Sequence, residues 1–252
     1  MALRRASQLF SRIYSTAGAQ SLPSDPLGMR VPYNDRAKLL IEDNLPSKDP
    51  IIWFEQWFNE AKNNPEVVEP NAMCLATATK EGIPSARMIL CKGFGRDGFK
   101  FFTHYTSRKG GELEENPNAA LTFFWGPFSR SVRIEGSVDK LPMSEADDYF
   151  SGRPYASQIG ALCSDQSKPL AGRQVLSAKE QELKATFKEG QVPKPQFWGG
   201  YIVKPKSIEF WQGQTDRIHD RIKFYQPQAN ESPDNKLSFA GEDGWLYQRL
   251  AP

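Results

Sequence analysis

The chain has 252 residues, 39% of them hydrophobic, and its 32 Lys and Arg almost balance 30 Asp and Glu, for a formal net charge of +2. That balance argues against a general nucleic-acid binder, which carries a basic excess, and no apolar run is long enough for a bilayer-crossing helix. Three widely spaced cysteines, Cys74, Cys91 and Cys163, and two histidines, His104 and His219, speak against a disulfide framework or a metal site.

The first 24 residues hold three arginines, five serines and no acid, with Leu3, Phe10, Ile13 and Tyr14 forming an apolar stripe if helical. The composition suits either a mitochondrial transit peptide or an ordinary tail. The expected compartment is therefore cytoplasm or mitochondrion. Residues 1–30 are set aside as a tail, and 31–252 are read as one domain.

The pattern predicts a helix over 49–64, with Asp49 as cap, Pro50 in the first turn, and Ile51, Phe54, Trp57, Phe58 and Ala61 on one face. Short strands follow: AMCLATAT, SARMILCK, GFKFFTH, AALTFFW and RSVRIEGSV. Strands so closely spaced leave no room for covering helices, so an antiparallel meander or barrel is expected. A short helix over 107–115 interrupts them. Two or three helices come next, one capped by Ser144 and ending near Phe150, another opened by a Ser177/Glu180 capping box and stopped at Gly190. GGYIVKP, SIEFWQG, RIKFYQ and WLYQRL return to strand texture, around a polar loop at 226–236. The fold class is mainly β with peripheral helices.

Gly93, Gly95 and Gly98 spell G-x-G-x-x-G, but a strand-like GFKFFTH follows where a dinucleotide fingerprint needs a helix. A hairpin is the better reading. Arg87 and Lys92 bracket an apolar strand. In a regular strand they point to opposite faces, roughly 17 Å apart at about 3.3 Å per residue, and so serve two separate anions or simply reach water. Ser107 followed by Arg108 and Lys109 reads as a phosphate seat at a helix start, or as a solvated one. Tyr149, Arg153 and Ser157 recur every four residues across a Gly-Arg-Pro break and together satisfy a phosphate, unless they merely decorate a helical surface. Arg217, His219 and Arg221 alternate, so an extended segment aims all three one way. The rival reading is a charged edge strand balanced by Asp216 and Asp220.

Taken in order, RMILCKGFG, FFTHYTSRKGGEL, YFSGRPYASQIGA, QVPKPQFWGGY and EFWQGQTDRIHDR resemble the pyridoxine 5′-phosphate oxidase family from about Arg30 to the C-terminal Arg-Leu-Ala-Pro. The resemblance implies a split β-barrel homodimer with FMN at the subunit interface. It further implies oxidation of pyridoxine 5′-phosphate and pyridoxamine 5′-phosphate to pyridoxal 5′-phosphate with O2, releasing H2O2, and NH3 from the amine. By position, FMN contacts fall on Arg87, Met88, Ile89, Leu90, Phe102, Thr103, Arg108, Lys109, Gln166, Ser167, Trp211 and Arg221. The vitamer phosphate falls to Lys92, Tyr149, Arg153 and Ser157. Arg217, Ile218 and His219 meet the substrate, with Arg217 and His219 over the pyridine ring near the reacting carbon. Where the family carries glutamine this chain has Ser131, too short for the same flavin contact, which implies a water bridge or weaker cofactor binding. Neither metal, nucleic acid nor membrane is implied. Two other functions compete: a related split-barrel flavin reductase or oxidase for another substrate, and a non-catalytic carrier of FMN or pyridoxal phosphate.

Overall fold

A computed structural model of the chain describes Tyr33 and residues 39–252. The acid-free N-terminal segment lies outside the described residues.

Helix α1, Pro50–Lys62, begins as its sequence predicts: the Asp49 carboxylate accepts from the amides of Ile51 (2.8 Å) and Ile52 (3.3 Å), and Pro50 occupies the first turn. Its apolar face carries Trp53, Phe54 and Trp57 into the core, where Trp53 stacks on Phe210 at 4.1 Å between centroids. That packing ties α1 to the sheet, because three buried aromatics remove a large apolar area from water.

The strands are β1 (Ala72–Ala78), β2 (Pro84–Leu90), β3 (Gly93–Gly95), β4 (Gly98–His104), β5 (Asn118–Trp125), β6 (Arg130–Lys140), β7 (Trp198–Gln212), β8 (Asp220–Tyr225), β9 (Phe239–Ala240) and β10 (Leu246–Arg249). All described pairings are antiparallel. They form the path β2-β1-β5-β6-β7-β8-β10-β9, with the β3–β4 hairpin joined to β7. The three glycines of the G-x-G-x-x-G run build that hairpin, and Gly98 holds a φ of +134° that side-chain-bearing residues avoid.

The expected barrel is not closed by these pairings. β2 pairs only with β1, and β4 only with β3 and β7, so the ends face each other without a ladder. GGYIVKP and SIEFWQG, expected as two strands, are one 15-residue strand. Pro205 does not break it, because the register with β6 shifts between Glu135 and Gly136. A Cβ on Gly136 would lie 1.9 Å from the Lys204 carbonyl oxygen, so only glycine fits there.

Helix α2, Arg108–Glu115, starts at Ser107, whose Oγ accepts from the Gly110 amide at 3.3 Å. Helices α3 (Met143–Ser151), α4 (Tyr155–Cys163) and α5 (Arg173–Thr186) pack Phe150, Ile159 and Leu183 with Trp198 into a second apolar cluster. Two caps differ from expectation. Pro142, not Ser144, precedes α3. Ser177 lies inside α5, its hydroxyl donating back to the Arg173 carbonyl, so there is no capping box there. That helix starts earlier, after Gly172, and ends at Thr186 rather than Gly190.

Candidate functional site

Two surfaces gather the residues that the sequence singled out. The first is a cavity of about 290 Å³ at the unpaired β2/β4 seam, lined by Arg87–Leu90, Lys92, Phe102, Thr103, Lys109, Tyr149, Arg153, Gln166 and Trp198. Its lining includes Arg87, Lys92, Lys109 and Arg153 but no carboxylate. Arg87 and Lys92 therefore converge instead of facing apart. The strand ends at Leu90, and the Lys92 amide already donates to the Lys100 carbonyl of β4 (2.8 Å), so strict alternation stops between them.

Three of these cations have identifiable neighbours. Lys109 is buried and donates from Nζ to Gln166 Oε1 (2.6 Å) and Thr103 Oγ1 (3.2 Å). Burial first, then the nearby Arg87 charge, pushes its ammonium down to about 8. Arg153 lies over the Trp198 ring at 4.9 Å, and its buried Nη1 has no hydrogen-bond partner in the protein. Burial lowers the affinity of this guanidinium for its proton. A buried donor without an acceptor is costly, and an anion in the cavity would supply the acceptor. Tyr149 stacks on Phe102 at 4.1 Å, closing one wall.

Behind Arg87 lies Glu112 of α2. Its Oε2 accepts from Ser85 Oγ (2.6 Å), Thr77 Oγ1 and Arg87 Nη2 (3.3 Å), while Oε1 accepts from Arg108 Nε (2.8 Å). Burial opposes ionisation, but hydrogen bonds from Ser85, Thr77 and Arg108 outweigh it and hold the carboxyl at about 2. Both hydroxyl protons go to the carboxylate, so the lone pairs of Thr77 and Ser85 are free to accept from Arg87.

The second surface is a cleft of about 440 Å³ on the outward face of the sheet, lined by residues that include Phe124, Ser131, Trp211, His219 and Arg221. Strand register explains the grouping: Phe124 pairs with Ser131, Ser131 with Trp211, and Trp211 with Arg221, which makes one row across four strands. The adjacent row runs Thr122, Arg133, Glu209 and Lys223.

Between β7 and β8 the chain is not extended. Arg217 has a φ of 72°, so the expected alternation of Arg217, His219 and Arg221 does not hold. His219 and Arg221 line the cleft, whereas Arg217 and Ile218 are exposed and line neither surface. His219 is fixed by the Gln214 amide, which donates to Nδ1 (3.0 Å), and by Trp211 and Tyr33 at 5.0 and 5.6 Å between centroids. Arg108, Ser157 and Ser167 also line neither surface. Trp198, Glu112 and Glu209 are site residues that motif reading passed over. The alternation of β7 carries a signal for Glu209, an acid on the same face as Trp211 between buried Ile208 and Phe210.

A larger cavity, about 700 Å³ between α4 and α5, is lined by none of the candidate residues. Among the described residues no His/Cys/Asp/Glu group is arranged to hold a metal, and no helix is long and apolar enough to cross a membrane.

Comparison with known proteins adds the following. Residues 60–187 match the family model described as pyridoxamine 5′-phosphate oxidase, and residues 198–252 match the pyridoxine 5′-phosphate oxidase C-terminal dimerisation region. The chain is 50% identical over 227 residues to the pyridoxine/pyridoxamine 5′-phosphate oxidase of Bombyx mori, covering 89% of this chain and 88% of that one. To the pyridoxine-5′-phosphate oxidase of Bos taurus it is 51% identical over 225 residues, covering 89% and 86%. Among solved structures, PhzG from Burkholderia lata 383, in complex with tetrahydrophenazine-1-carboxylic acid, aligns with a TM-score of 0.73 at 31% identity over 86% of this chain and 99% of that one.

Proposed function

The chain belongs to the pyridoxamine 5′-phosphate oxidase family, and on that premise we propose how its cavity and cleft oxidise pyridoxine 5′-phosphate and pyridoxamine 5′-phosphate to pyridoxal 5′-phosphate with FMN. The observation that carries the reading is the cationic cavity, with its acid-free lining and the unpartnered buried Nη1 of Arg153. Phosphorylated ligands fit such a site because charge-assisted hydrogen bonds to phosphate offset the cost of gathering cations.

Lys92, Tyr149 and Arg153 hold the vitamer phosphate, and Ser157, in the first turn of α4, joins them when the ligand is bound. Arg87–Leu90, Phe102, Thr103, Arg108, Lys109, Gln166 and Ser167 hold the flavin from one protomer. Trp211 and Arg221 complete its site from the partner, with Ser131 beside them too short to reach the flavin except through water, and Arg217, Ile218 and His219 come with them over the substrate ring. Two features support an assembly of two copies. A C-terminal dimerisation region is matched over 198–252. Met88 at the cavity and Phe124 at the cleft are 66% and 63% exposed, apolar surface of the kind a partner covers. In the same reading the open sheet is a split β-barrel, and the β2/β4 seam is its gap.

FMN held by these residues would supply the redox chemistry, as acceptor of a hydride equivalent from C4′ of the vitamer and donor of the two electrons that reduce molecular oxygen to hydrogen peroxide. Water then releases ammonia from the product of the amine substrate. The protein positions and polarises: a phosphate clamped at one end fixes where C4′ lies, and such positioning lowers the barrier by several kcal/mol.

The test is to load the purified protein with FMN, add pyridoxine 5′-phosphate, and measure peroxide and pyridoxal 5′-phosphate together. Equal amounts of both are expected. Bound FMN with no pyridoxal phosphate formed would make the chain a carrier or an oxidase of another substrate.

A further inference from the structure

We propose that Glu209 is a positioning residue for the cofactor: it grips Arg221 from behind and presents the guanidinium to the cleft. The proposal rests on the reading of Arg221 as a flavin contact.

Glu209 belongs to the outward face of β7, yet is only 6% exposed. Its Oε1 accepts from Arg221 Nε at 2.7 Å and its Oε2 from Arg133 Nη2 at 2.6 Å. Arg133 pairs directly with Glu209 across β6 and β7, whereas Arg221 pairs with Trp211 and reaches back one row. A second acceptor, the Ala251 carbonyl, takes Arg221 Nη1 at 2.8 Å. Nε and one Nη1 hydrogen are thereby committed to the protein, leaving the Nη2 edge of the fork for the cleft. A buried carboxylate needs such partners. It also fixes the plane of a planar, bidentate donor in a way that lysine at that position cannot reproduce.

The sign of the effect separates positioning from charge. FMN is anionic, so neutralising Glu209 should by Coulomb's law alone tighten cofactor binding. Weaker binding on removing the acid therefore identifies a positioning role.

The experiment is a fluorescence titration of apo-protein with FMN, for wild type, Glu209→Met, Arg221→Ala and the double variant, with apo unfolding temperature measured alongside. Methionine keeps the chain length and removes both acceptors. Each single variant is expected to weaken FMN binding by about tenfold or more, the size of one charged hydrogen bond. The double variant should be no weaker than Arg221→Ala, because Glu209 acts through Arg221. Unchanged or tighter FMN binding by Glu209→Met overturns the proposal, as does a full additional loss in the Arg221→Ala background. If Arg221→Ala itself leaves FMN binding intact, the flavin reading of the cleft is what fails. Should Glu209→Met not fold, Arg221→Lys poses the same question by keeping the charge and losing the double grip. A loss equal to that of Arg221→Ala is expected, and wild-type affinity overturns the proposal.

Discussion

Lys109 Nζ donates to Gln166 Oε1 at 2.6 Å, which links the first turn of α2 to the loop after α4 across the floor of the cationic cavity. The ammonium is buried and already depressed to about 8 by desolvation and by Arg87. A bound phosphate adds a negative charge beside it and favours the protonated form. Cofactor binding should therefore take up a proton once the pH exceeds about 8, and FMN affinity should fall as pH rises through the window from about 8 towards the ordinary 10.5. The apo-protein follows the opposite trend. There the unfolded chain binds more protons across that window, so this group adds stability as pH rises. Titrating FMN against pH in wild type and Lys109→Met tests the first sign, since the variant should bind weakly and without the alkaline fall; unfolding the two apo-proteins across the same pH range tests the second, since only wild type should gain stability from this group.

The cavity contains the two cation pairs that the sequence assigned to separate anions, and substitution should separate their roles. Lys92→Ala and Arg153→Ala are expected to raise the KM for pyridoxine 5′-phosphate by about ten- to a hundred-fold, since a charged hydrogen bond contributes on the order of 1.5–3 kcal/mol. Flavin content should hold. Arg87→Ala should do the reverse, emptying the protein of FMN. Flavin loss in all three variants would show that the two anion positions are assigned wrongly.

Arg217 combines a left-handed backbone with an exposed side chain. Arg217→Gly is the cleaner probe than alanine, because glycine adopts a φ of 72° at no steric cost. If the guanidinium stabilises charge developing on the substrate, its loss should lower kcat/KM about a hundred-fold, the usual effect of removing one electrostatic donor. His219→Ala should cost less, since the Gln214 amide, Trp211 and Tyr33 hold that ring in an orienting rather than a charged role. Steady-state kinetics with flavin content on the same preparations decides. Near-normal kcat/KM in Arg217→Gly would remove this residue from the active site.

Met88 and Phe124, both exposed and apolar, test whether assembly and cofactor binding are linked. On the shared-site reading, Met88→Asp or Phe124→Asp places a charge on surface that the partner covers, and desolvating an unpaired charge costs several kcal/mol. Light scattering should report monomers, and the same preparations should lose FMN. A monomer that retains FMN fully would show that one chain holds the flavin alone.

The features legible in the sequence are those set by neighbours along the chain. Asp49 and Pro50 announced α1, and Gly93, Gly95 and Gly98 read correctly as a hairpin once the following aromatic strand was weighed. What failed did so where tertiary structure overrode a local pattern. A left-handed residue at Arg217 broke an alternation that assumed extended backbone. A register shift opposite Pro205 let two expected strands run as one. Ser177 carries the local pattern of a cap, but the helix already begins at Arg173. The two acids that organise the arginines were passed over for a related reason: Glu112 meets Arg87 from 25 residues away, and Glu209 meets Arg133 from 76. Spacing along a chain does not contain such distances.

If cavity and cleft from two protomers make one site, subunit complementation shows it most directly. Arg153→Ala disables the cavity half and Arg221→Ala the cleft half, each expected to leave little pyridoxal 5′-phosphate formation alone. Coexpressed, about half of randomly paired dimers are mixed, and each mixed dimer carries one site with both defects and one with none. Roughly a quarter of wild-type activity should return, with FMN retained in about half of the sites, because Arg153→Ala keeps its flavin. A coexpressed pair no more active than its parents would contradict the shared site and place cavity and cleft in service of one chain each.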